Sequence, residues 1–213
     1  MHPQIENFDQ IIKHQLEPSI YSFRVLKAFT EITEAQGLKA YPIHIKFNTG
    51  LNRLGFKDVN EKDILEQLHA TEALKVKSLF SHLAASEDPN ERTFTLQQIE
   101  TFENNAKHMI AGLGYTPMLH QSNTSAIINY PQAQFDMVRS GIGLYGYGNT
   151  QEEDLKLKPV ATLKTVISQI HDIAIGETVG YNRAHTAAKL GRSATLPIGH
   201  ADGISRAYGK GRG

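Results

Sequence analysis

Residues 41–82 read YPIHIKFNTGLNRLGFKDVNEKDILEQLHATEALKVKSLFSH. Tyr41–Phe47 alternates apolar and polar side chains and is rich enough in β-branched residues to be a strand. Lys62–Leu74 reads as a helix with Ile64, Leu65 and Leu68 on one face. Val76–His82 returns to strand character. A strand, a helix and a second strand at this spacing form a βα repeat, whose strands pair in parallel because the helix carries the chain back across the sheet.

The same rhythm continues on both sides. Upstream, a short extended segment, Leu16–Ser22, precedes a helical run, Phe23–Glu34. Downstream, Asp88-Pro89-Asn90 signals a helix start, and an amphipathic run follows to about Leu113. Met118–Asn123 is a short strand candidate followed by a helical turn to Tyr130, and Phe135–Ser140 is the next strand candidate. The character then changes. Gln151–Asp154 is acidic, and from Leu157 onward helical periodicity fades. Lys164–Ile173 and Ser193–Ile198 read as strands of an antiparallel β region, which puts a boundary near residues 150–156.

Composition narrows the function classes. The 213 residues carry 22 Lys+Arg against 22 Asp+Glu, so no general electrostatic surface for nucleic acid or membrane is expected. The absence of cysteine removes disulfides, thiolate metal sites and cysteine nucleophiles. The ten histidines show no H-E-x-x-H spacing, so no metal site is expected. The opening MHPQIENFDQ lacks the basic and apolar regions of a signal peptide, and no run approaches the ~18 apolar residues of a membrane span, so a cytoplasmic protein is expected.

Gly141, Gly143 and Gly146 match G-x-G-x-x-G, yet no convincing helix follows and no acidic residue stands at the ribose-binding distance, so a dinucleotide fold is rejected. What survives is a glycine turn whose amides can approach an anion, or a plain turn leading out of a domain. Arg53, in NTGLNRLGF, has the planar fork that suits a carboxylate or phosphate. Lys46 lies in an apparently buried strand and needs a partner or an altered charge state. His82, Asn123, Gly141 and Arg139 each stand at or just after the end of an expected parallel strand, and such ends share one rim, so one cavity is expected to hold all four. Tyr181, in ETVGYNR, is a poor base unless neighbouring charge lowers its pKa.

Taken in order, HIKFNTGLNRLGF (44–56), FSHLAASED (80–88), SNTSAIINYP (122–131), FDMVRSGIGLYGYG (135–148), LKPVATLKTVISQI (157–170), GETVGYNR (176–183) and LPIGHADGISR (196–206) resemble the alanine racemase family of fold-type III pyridoxal-phosphate enzymes. The resemblance implies an α/β fold: the distal part of a (β/α)8 TIM-type barrel over residues 1–152, then the start of a β domain over 153–213. It also implies pyridoxal 5′-phosphate as cofactor, alanine as substrate and a head-to-tail homodimer. By position, Tyr181 is the catalytic tyrosine, acting from the partner subunit, and Arg139 is the partner of the cofactor's pyridine nitrogen. Asn123, Thr124, Gly141 and Ile142 take the phosphate positions, with Thr124 replacing the usual serine. Arg53 contacts substrate carboxylate, His82 supports the arginine and the ring, and Lys46 matches a lysine that is often carbamylated. His200, where tyrosine is usual, Asp202 and Arg206 fall in the substrate-access region.

The family's catalytic lysine motif, resembling K-A-D-A-Y-G-H-G, is absent from these residues. The resemblance therefore implies an internal portion of a racemase that is inactive by itself, while the complete enzyme supplies D-alanine for peptidoglycan. A racemase of another amino acid, such as serine, and a non-catalytic remnant or interaction domain are the competing readings.

Overall fold

The computed structural model describes residues 3–57 and 61–205. The chain divides into two compact units, Met1–Val160 and Ala161–Gly213.

The first unit is built on four parallel strands in the order β1 (Ser19–Ile20), β2 (Tyr41–Lys46), β3 (Leu74–Phe80) and β4 (Met118–His120). Helix α1 (Phe8–Lys13) leads in, and α2 (Phe23–Ala35), α3 (Glu61–His69) and α4 (Arg92–Leu113) connect successive strands. In α2, Ser22 caps the first turn by accepting from the Val25 amide at 3.3 Å. Val25, Leu26, Phe29 and Thr33 then recur on the buried face, and the Thr33 hydroxyl is satisfied by donating to the Phe29 carbonyl at 2.8 Å. Helix α4 buries Thr95, Ile99, Phe102, Ala106 and Met109, a single stripe at helical spacing. Gly114 ends it at φ 72°, a left-handed conformation that costs glycine little. Phe8 and Phe29 meet edge to face at 5.0 Å under α2, and Ile43, Ile45, Val76 and Leu79 complete the same core from the sheet.

Strands β1 and β4 are shorter than their sequence signatures and β3 starts and ends two residues earlier, and two further differences have a visible cause. The helix expected to Leu74 stops at His69, because Glu72 and Ala73 already accept from the amides of Ala40 and Tyr41 and so belong to the strand ladder. Phe135–Ser140 is not a ladder strand. It runs beside β4 with a bridge between His120 and Met137. Phe135 turns to φ 48°, and the Asp136 carboxylate takes the Leu119 amide that a strand carbonyl would have accepted. Helices α5 (Thr124–Asn129) and α6 (Gln151–Asp154) follow β4. They are tied by the buried Glu153, which accepts from Ser125 Oγ, Asn129 Nδ2 and the Asn149 amide.

The second unit has two antiparallel pairs, β5 (Gln169–Ile173) with β8 (Gly191–Thr195) and β6 (Thr178–Val179) with β7 (His185–Thr186). The antiparallel expectation holds, but both strands are shorter than their sequence signatures. Ile173 finds its partner at Gly191, the ladder closes at Thr195, and Pro197 beyond it has no amide to donate. Ala187 is the one buried residue among this unit's described residues. None of the described helices is long and apolar enough to cross a membrane.

Candidate active site

The C-terminal ends of β2, β3 and β4 open onto a cavity of about 770 Å³ whose lining includes Lys46, Arg53, Phe80, His82, His120 and Arg139. At its centre both terminal nitrogens of the Arg139 guanidinium are engaged by acceptors. Nη2 donates to the carbonyls of Ser81 at 2.7 Å and Gln121 at 3.2 Å, and to Nδ1 of His82 at 3.2 Å. Nη1 donates to Nδ1 of His120. Its Cζ lies over the Phe80 ring, 5.4 Å from the ring centre, and that ring stacks on His120 at 4.8 Å.

These partners define the charge of the site. An arginine donates only, so both imidazoles must present an unprotonated Nδ1. Burial, reinforced by Arg139 and then by Arg53 and Lys46, holds His82 down at about 4. Burial and Arg139 hold His120 at about 3. Burial brings Arg139 itself down to about 10, which leaves it cationic at neutral pH. Lys46 is lowered by burial and by Arg53 and Arg139; its Nζ lies 5.8 Å from the Phe80 ring centre. No carboxylate lines the cavity among the described residues; Lys46, Arg53 and Arg139 face it beside the imidazoles of His44, His82 and His120. This is a receptor for an acceptor atom or an anion.

The expectation of one shared cavity is half met. Arg139, His82, Arg53 and Lys46 come together, whereas Asn123 and Gly141 are not in its lining. Asn123 is turned into α5, where its Oδ1 accepts from the Ala126 amide at 2.9 Å and from Ser86 Oγ at 2.7 Å. Buried Thr124 accepts at Oγ1 from the amides of Gly141 at 3.0 Å and Gly143 at 3.3 Å, and exposed Ile142 lies between them. A Cβ on Gly143 would stand 2.8 Å from Thr124 Cγ2, so only glycine permits that approach. The chain thus forms a second, amide-lined neighbourhood beside the cavity.

In the second unit Tyr181 is 99% exposed. It opens a tight turn whose next residues, Asn182 and Arg183, sit at φ 54° and 52°, with Gly180 at 85° before it. Two consecutive left-handed non-glycine residues are costly and present the phenol at the tip of the turn. His200 and Asp202 are exposed in a short turn, where Asp202 accepts from the Gly199 amide at 2.9 Å and His200 Nδ1 lies 2.7 Å from the Ile204 carbonyl. Arg206 lies outside the described residues. The sequence reading missed His120, Ser78 and His44. His120 was within reach of it, since it closes strand β4 three residues before Asn123.

Residues 1–149 match the family model for the N-terminal domain of alanine racemase, and residues 160–212 match that for its C-terminal domain. The chain belongs to the alanine racemase family. The alanine racemase of Treponema denticola is 34% identical over 209 residues, covering 96% of this chain and 55% of that protein. That of Clostridium perfringens is 34% identical over 203 residues, covering 93% and 52%. The chain spans about half the length of the curated relatives it matches. Among solved structures, the alanine racemase of Clostridium difficile superposes with a TM-score of 0.73 at 28% identity, covering 96% of this chain and 54% of that one. The biosynthetic alanine racemase of Pseudomonas aeruginosa gives 0.78 at 26%, covering 96% and 55%. The Bartonella henselae alanine racemase, solved with covalently bound pyridoxal phosphate, gives 0.75 at 24%, covering 97% and 55%, a likeness of fold. The alanine racemase fold of an α/β barrel with a β domain accounts for the parallel sheet and the antiparallel pairs that follow it.

Proposed function

We propose that this chain carries the arginine-centred part of a site that racemises alanine with pyridoxal 5′-phosphate, in a complete protein that works as a homodimer and supplies D-alanine for peptidoglycan. The observation that carries the reading is the Arg139 cation, held by carbonyls and neutral imidazoles in a cavity that no carboxylate lines among the described residues.

The donor set fits the cofactor. Arg139 Nε has no hydrogen-bond partner among the described residues and is the donor assigned to the pyridine nitrogen. When bound, the cofactor supplies the electron sink that makes the substrate's α-proton removable. A donor that stays cationic at neutral pH does not surrender its proton to the ring, which limits charge delocalisation and disfavours transamination. Asn123, Thr124, Gly141 and Ile142 are assigned to the phosphate, Arg53 to the substrate carboxylate, and His82 to the support of Arg139. Lys46, if carbamylated, turns from a third cation into an anion facing Arg53. Tyr181 moves a proton at Oη, and its full exposure suits a residue that serves a site on a partner subunit. His200 and Asp202 are assigned to the substrate approach.

Pyridoxine 5′-phosphate tests this directly, because it lacks the aldehyde and needs no lysine. Calorimetry is expected to show binding that Arg139→Leu weakens at least about tenfold, as loss of a charge-assisted hydrogen bond requires. Absence of binding, or equal binding by the variant, overturns the reading.

A further inference from the structure

Strand β3 carries one residue more than β2 at a single point. Ile43 faces Val76, but His44 faces Ser78, and Lys77 is passed over. A bulge of this kind re-aims side chains. In an unshifted ladder Lys77 would oppose His44. Instead, Ser78 Oγ lies 2.6 Å from His44 Nδ1 and 3.0 Å from His120 Nε2. Lys77 turns to Glu17, with Nζ 2.6 Å from Oε1, and the other oxygen of Glu17 lies 2.9 Å from His44 Nε2.

The direction of every bond in this series follows from its two ends. Arg139 cannot accept, so His120 Nδ1 accepts and its proton sits on Nε2. That proton is donated to Ser78 Oγ, which frees the serine hydroxyl hydrogen for His44 Nδ1. His44 then carries its proton on Nε2 and donates it to Glu17, which as a carboxylate accepts only. A pure donor at one end and a pure acceptor at the other impose the same order.

We propose that Ser78, His44 and Glu17 are positioning residues for Arg139: they form a one-way hydrogen-bond relay, from Arg139 through His120, Ser78 and His44 to Glu17, that locks both imidazoles in the Nε2–H tautomer and holds the guanidinium against the cavity wall. Lys77 holds the Glu17 carboxyl below its ordinary range, so the acceptor end stays ionised. His120 is 5% exposed, so a lost partner would leave a buried ring nitrogen unsatisfied. The relay stands on the hydrogen bonds alone; its effect on ligand affinity rests on the reading of Arg139 as the cofactor's ring partner.

The test is a long-range proton–nitrogen correlation spectrum of the histidine-labelled chain at neutral pH, with pyridoxine 5′-phosphate affinity measured in parallel. His120 and His44 are both expected as Nε2–H tautomers. Ser78→Ala is expected to shift the Arg139 side-chain resonances and to lower affinity about tenfold, the lower end of what loss of a supporting partner costs at metal sites. Ser78→Thr, which keeps the hydroxyl, is expected to restore both. Glu17→Ala removes a partly exposed side chain and is expected to give mixed tautomers at His44, so the idea remains testable if Ser78→Ala does not fold. An Nδ1–H tautomer at either histidine in the unsubstituted chain, or unmoved Arg139 resonances in Ser78→Ala, overturns the relay. If the tautomers and resonances behave as stated but pyridoxine 5′-phosphate does not bind, the relay is supported and the ring-partner reading fails.

Discussion

Nη2 of Arg139 donates to Nδ1 of His82 at 3.2 Å, so a cation rests on a ring that accepts it only while neutral. With His82 at about 4 and His120 at about 3, neither ring is expected to titrate above about pH 5. The sign of the linkage follows. The unfolded chain takes up these protons near the ordinary 6.5 and the folded chain only well below it. The stability tied to the neutral rings is therefore complete above that ordinary value, and it is lost as pH falls toward the folded values. Arg139→Leu removes one cause and leaves burial, so both rings are expected to titrate at higher pH than in the unsubstituted chain. Nitrogen chemical shifts followed through the titration decide this, and unchanged midpoints in the variant contradict it.

Lys46 offers a buried amine whose pKa is lowered by burial and by two arginines. A larger neutral fraction at a given pH favours reaction with carbon dioxide, and the carbamate would bring an anion to the face of Arg53. In labelled bicarbonate the chain is expected to show one carbamate carbonyl resonance that disappears in Lys46→Arg and on acidification. A spectrum identical for the two proteins refutes carbamylation.

Thr124 Oγ1 receives two glycine amides. Thr124→Val keeps the shape and removes the acceptor, and is expected to cost about 1 kcal/mol in urea denaturation, since partly exposed amides recover some bonding from water. Thr124→Ser is expected to cost less. Equal stability of the valine variant would show that these amides do not depend on the hydroxyl.

Glu153 is 2% exposed and satisfies three donors from α5 and the loop before α6. Glu153→Ala leaves those donors without a partner and is expected to lower stability by roughly 3 kcal/mol; Glu153→Gln, retaining one acceptor oxygen, is expected to lose less. Denaturation midpoints compared under one buffer check the order, and a reversed order sinks the assignment.

The 213 residues contain no match to the family's lysine motif. As a polypeptide by itself the chain is expected to form no D-alanine from L-alanine with added pyridoxal phosphate. Turnover abolished by Tyr181→Phe would mean that another base replaces that lysine.

Much of this protein was legible from local pattern. The stripe of α2, the alternation in β2 and β3, and the position of His82 just past the end of β3 all follow from periodicities that neighbouring residues carry among themselves. The antiparallel character of residues beyond Leu157 followed from the loss of helical period, although Pro197 and the pairing with Gly191 set the real strand ends.

The tertiary structure decided what depends on pairing between distant segments. Nothing local announces that β3 passes over Lys77, yet that one residue of register determines whether a lysine or a serine meets His44. It was likewise pairing that left Phe135–Ser140 as a single bridge, and side-chain capping that turned Asn123 into α5 and away from the cavity. The reason is the period of two in a strand: a sequence states which residues alternate, but a shift of one exchanges the two faces, and only the contacts of the assembled sheet select between them.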